Sequence, residues 1–295
     1  MNTHLMKTTA AALVLLAGLA GVRADEAADT VKKQKELAKA HWKRLVGDED
    51  VAQQETAHFL LYGPVPFTQK ELKNVGTALE AQYALARKAL QIEANDEPWS
   101  GKMAIYLFDD SRQFHSFIRT VARKRPNLDD DNMGYFSLRG DEPFLGAGPG
   151  KAKHDPTPQQ QAGEQLAGAL LSHKAGKDVP DWIVSGFGRA TVWRATPASG
   201  ATKEQRALAR RLVIAGRRTA MDVWNGNLKA DEAGILQGSL VEYLAYGPAK
   251  PFFTPLLEGY KAETRQKKTT ADALKSARID PDRLNKVWRV WVARH

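Results

Sequence analysis

From Pro156 to the C-terminus the chain carries helical signals almost without a break, whereas every strand signal lies before Gly150. That order constrains the fold most, because a doubly wound parallel sheet needs strands and helices to alternate along the whole chain. It predicts an α+β protein with a small sheet and an all-helical C-terminal part. Dense apolar stretches predict strands at 55–62 and 102–108, with two short ones around Tyr135-Phe136 and Phe144-Leu145. Helical spacing predicts helices at 26–46, 69–93 behind a Thr68 cap, and 111–121 ending before Pro126. Seven more follow, near 158–173, 181–195, 202–216, 233–246, 251–261, 269–276 and 281–294.

Residues 1–24 have the pattern of a cleavable secretory signal: Lys7, an apolar run of 13 residues over 10–22, and small residues before Asp25. The run is shorter than the roughly 20 residues a membrane-spanning helix needs. Export is therefore expected, to the periplasm or beyond the cell, and no membrane span is expected in what remains. Residues 25–50 are assigned to an N-terminal helix and 51–295 to the main domain. The chain has no cysteine, which excludes disulfides, thiolate metal ligands and a thiol nucleophile. The formal charge of +9 becomes +7 without Lys7 and Arg23. A basic exported surface suits a peptide, a protein or an anionic envelope polymer as partner, and makes nucleic acid an unlooked-for one.

Two segments carry the most chemical information. Gln161-Ala162-Gly163-Glu164-Gln165-Leu166-Ala167-Gly168 sits in a helix, and Pro180-Asp181-Trp182-Ile183-Val184-Ser185-Gly186 opens the next one. Together they resemble the exported bacterial branch of the gluzincin, or peptidase MA-like, zinc metallopeptidases, in which an HExxH helix is followed by a motif like P-x-W-x-x-E-G. The strands at 102–108 and 143–147 and a helix over 237–244 extend the resemblance. It implies a mixed sheet packed on a zincin-like helix pair, with 51–295 as a peptidase MA-like domain whose C-terminal half is helical.

The resemblance places Gly163 and Ala167 at the two histidine positions, Ser185 at the third-ligand glutamate, and Glu164 at the general base. Histidines at i and i+4 share a helical face and hold zinc, and the metal lowers the pKa of a bound water from about 15.7 toward 7. Glycine and alanine offer the metal no electron pair. The resemblance thus implies a protein that has lost zinc, carries no cofactor, retains Glu164 only as a vestigial base, and acts by binding or as a scaffold. An active hydrolase with unusual metal ligation, or one working without metal, is the alternative.

Other features have plainer expectations. A charged helix residue such as Glu164 usually faces water, and Gly163 and Ala167 suit a notch where another helix packs closely. His154 and His173 are too far apart in sequence for the i, i+4 relation. Asp129 to Asp131 lack the spacing of a calcium loop. The run of Arg206, Arg210, Arg211, Arg217 and Arg218 reads as a solvated basic face, and Leu284, Val287, Trp288, Trp291 and Val292 as a core stripe.

Overall fold

The computed structural model describes residues 26, 28–47, 51–64, 67–93, 95–126, 133–150, 155–261 and 268–295. The signal segment 1–24, Asp129 to Asp131 and His154 lie outside these. The architecture is α+β: one five-stranded mixed sheet precedes a helical C-terminal part. The strands are β1 (Val51–Glu55), β2 (Phe59–Pro64), β3 (Met103–Leu107), β4 (Gly134–Ser137) and β5 (Phe144–Ala147), in the spatial order β1-β2-β3-β5-β4. β2, β3 and β5 run parallel, while β1 and β4 close the two edges antiparallel.

The parallel strands are covered on both faces, so their sequences are apolar throughout and successive side chains serve opposite cores. Phe59, Leu61, Met103 and Ile105 face one layer of helices, and Leu60, Tyr62, Ala104 and Tyr106 the other. The second layer is α1, over residues 28–46, with α3 (Ser111–Thr120). Trp42 of α1 is 2% exposed and stacks on Tyr106 and Phe108, with ring centres 6.2 and 5.9 Å apart. Buried Gln34 clips the same helix to the sheet: its Nε2 donates to Ser100 O and Asp141 O, and its Oε1 accepts from Lys102 N.

The first layer is α2 (Gln69–Leu90) and α4 (Pro158–Ala175), each started by a threonine capping box, at Thr68 and Thr157. α5 (Asp181–Ala195) lies on α4, and α8 (Ala230–Ala245) lies on α5. Around α8 sit α6 (Gly200–Ile214), α7 (Ala220–Trp224) and α11 (Pro281–Arg294), while α9 (Phe253–Gly259) and α10 (Thr270–Ser276) pack on each other. One continuous apolar cluster joins the sheet face at Phe59 to Trp288 and Val292 of α11. Among the described residues no helix is long and apolar enough to cross a membrane.

Three local expectations change. The stretch 55–62 is not one strand: β1 ends at Glu55, and residues 56–58 turn the chain into β2. α7 forms where no helix was expected, started by a capping box at Thr219 and tied to α11 by Ala220 N donating to Asn285 Oδ1. Of the C-terminal stripe, Leu284, Trp288 and Val292 are core, but Val287 is 40% exposed.

Candidate functional site

The site indicated by the sequence lies where α4 meets α5. α4 is buried on almost every side, enclosed by α2, α5 and the β4–β5 edge of the sheet. A small-residue contact brings the two helices together: a Cβ added at Gly188 would lie 2.4 Å from the Glu164 carbonyl oxygen. Any larger residue there would force α4 and α5 apart.

Glu164 does not face water. It is 9% exposed, and its carboxylate is held by Arg189, with Nε 2.9 Å from Oε1 and Nη2 3.3 Å from Oε2. The Arg189 side chain reaches it by lying over Gly234 and Gly238 of α8, where added Cβ atoms would come within 2.5 and 2.9 Å of it. A two-point guanidinium–carboxylate contact of this kind is strong and directional. Both carboxylate oxygens that a general base would offer to water are already acceptors.

Gly163, Ala167 and Ser185, the positions the resemblance assigns to ligands, have different surroundings. Gly163 faces α2 and α5: a Cβ there would lie 2.0 Å from Gln82 Oε1 and 3.0 Å from Val192 Cγ2. Ala167, one helical turn on, is 1% exposed in the apolar core, whereas Ser185 is exposed on α5. The space an imidazole would need at position 163 is filled by the Gln82 amide. The notch expected from the small residues is present, and it receives side chains of α2 and α5.

The i, i+4 pair that α4 turns toward the sheet edge is instead Gln161 and Gln165. A Cβ at Gly134 of β4 would lie 2.4 Å from Gln161 Nε2 and 2.5 Å from Gln165 Nε2. Further along the same side, a Cβ at Gly168 would be 3.8 Å from Phe136 of β4. The spacing of these two glutamines was visible in the sequence; their common face toward β4 was not. Arg189 was also missed, and its only signal was the Gly234/Gly238 pair that gives its stem room.

No protein-family model and no curated protein matches this chain. The chemistry of the site therefore follows from its own residues. Among the described residues, no group of three or more His, Asp and Glu side chains is arranged to hold a metal ion. His173, in the last turn of α4, has Nε2 3.4 Å from Asp96 Oδ1. The basic run does not form a single face: Arg206 turns inward to bind Glu242, which is 3% exposed, and Arg218 pairs with Glu232 at 2.7 Å. Arg210, Arg211 and Arg217 remain exposed.

Proposed function

We propose that this protein is an exported, metallopeptidase-shaped binding or scaffold protein of the cell envelope, without zinc and without peptidase activity. The observation that carries this reading is the enclosure of Glu164 by Arg189. Zinc peptidases need imidazole or carboxylate ligands and a carboxylate that can take a proton from the metal-bound water. Here the helix presents glutamine amides toward β4, a glycine and an alanine toward the core, and its one carboxylate to a guanidinium. That arrangement favours a preserved frame used for contact over one used for hydrolysis.

The test is metal content together with activity. The protein beginning at Asp25 is saturated with zinc, desalted and analysed for bound metal, then assayed on a mixed peptide library with and without chelator. The expected result is well under one zinc per chain and no chelator-sensitive cleavage. Stoichiometric zinc with cleavage would overturn the reading, and loss of that zinc in the double change His154→Ala, His173→Ala would locate the ligands. Secretion is checked by N-terminal sequencing of the exported chain, expected to begin at Asp25.

A further inference from the structure

A second site lies at the opposite edge of the sheet from β4. Between α1 and the β1–β2 hairpin runs an open groove of about 460 Å³, within the size range of small-ligand sites. The two other clefts described, at about 10 and 20 Å³, hold a single water at most. Lys35 and Lys39 form one wall of the groove, and Gln53, Gln54, Glu55 and Tyr62 contribute to the other wall and the floor.

The wall continues beyond the groove. Lys32, Lys35, Lys39 and Lys43 recur at spacings of three and four, so they share one side of α1, and all four are exposed. They extend over about 16 Å of helix at 1.5 Å per residue. Glu36 is the acid on that stretch of α1 and also borders the groove. Lys39 makes no ion pair among the described residues, whereas Lys35 lies 2.6 Å from Glu55. Glu55 is also 2.8 Å from Lys102, so a ligand anion can take Lys35 without leaving Glu55 unpaired.

We propose that this groove binds an acidic polysaccharide, its carboxylates meeting the lysine row and its hydroxyls the Gln53 amide. A row of cations this long suits a chain bearing several charges rather than a single small anion. An added peptide strand is disfavoured, because Gln69 Nε2 already donates to Gln53 O at 2.6 Å and to Gln54 Oε1 at 3.2 Å along β1. A lipid surface is disfavoured too, because the large apolar residues exposed among the described residues, Ile214, Met221, Phe252, Val287 and Val290, lie in the helical C-terminal part. The assignment stands on the groove alone and is independent of the metallopeptidase reading.

The experiment is calorimetric titration of the full mature chain with an oligogalacturonide, alongside neutral dextran, poly-L-glutamate and anionic phospholipid vesicles. The oligogalacturonide is expected to bind at low ionic strength, to weaken as salt is added, and to lose at least about tenfold in affinity in Lys35→Glu, Lys39→Glu. Glu55→Gln, which removes the competing carboxylate, is expected to tighten binding. Lys39→Glu alone loses no internal ion pair, so it keeps the test valid if the double variant melts early. No oligogalacturonide binding, binding unchanged by these lysine changes, or tighter binding to polyglutamate or vesicles would overturn the proposal.

Discussion

The molecule holds two carboxylate–cation contacts that are chemically alike and physically opposite. Glu164 and Arg189, between α4, α5 and α8, have side chains only 10% and 13% exposed. Glu55 and Lys35, at the rim of the α1 groove, are 42% and 46% exposed. The enclosed pair cannot exchange partners with solvent, since removing either charge strands the other in an apolar surround. The open pair is screened by water and salt, and each member can be replaced by a mobile ion. Similar bonding therefore serves structure at one site and leaves recognition available at the other.

The largest effect that tests this contrast comes from Arg189→Ala. It should destabilise the protein by about 3–5 kcal/mol, the range for breaking one side of a buried ion pair. Urea unfolding measures it, and a loss below about 1 kcal/mol, typical of an exposed pair, would show that Glu164 reaches water. Replacing both members, as Glu164→Leu with Arg189→Met, should recover most of the loss because no uncompensated charge remains.

Next in size is Gly163→His, which restores one imidazole at a position the resemblance assigns to a ligand. Gln82 and Val192 occupy the space, so the cost is that of overpacking, about 1–3 kcal/mol. The variant should bind no more zinc than the wild type in a metal analysis. A stable, zinc-loaded Gly163→His protein would mean that the ligand positions still converge, which the enclosed geometry denies.

Much of this frame was legible in the chain, and the losses have identifiable causes. α4 and α5 could be placed because helical spacing resumes after Pro156 and again after the Pro180 break. The facing of α4 could not, since a helix enclosed on nearly every side has no polar stripe to mark its outside. Glu164 looked solvent-facing because its partner Arg189 lies 25 residues away and depends on a gap in a third helix. β1 was missed because Val51-Ala52-Gln53-Gln54-Glu55 is a polar edge strand without apolar alternation. That same polarity gives the groove its floor.

Acid should act by a smaller amount, through Glu55 at the groove and Glu80 on α2. Hydrogen bonds from Lys102, then Lys35, hold the Glu55 pKa below its ordinary value. At Glu80 burial acts upward, but hydrogen bonds from Thr56 and from the backbone and ring of His58 outweigh it and leave the pKa lowered. A carboxylate with a depressed folded-state pKa adds stability that is fully present above its unfolded value and is lost as pH falls through the folded one. Stability should thus begin to decline at the ordinary carboxylate range and continue below it. In Glu80→Gln that decline should be shallower by denaturant titration at a series of pH values, and an identical slope would remove Glu80 from the account.

The smallest effect on stability belongs to Lys35→Ala, at about 0–1 kcal/mol, since an exposed pair gains little net energy in water. Glu55 keeps Lys102 at 2.8 Å, so the substitution leaves no carboxylate unpaired. The same substitution removes one of two lysines that line the groove, and its effect on oligogalacturonide binding should exceed its effect on unfolding. The two quantities respond to different things: unfolding reads what Lys35 does for this chain, and binding reads what it offers to another. A loss of stability well above 1 kcal/mol would place Lys35 with Arg189 as a structural cation and erase the distinction between the enclosed site and the open one.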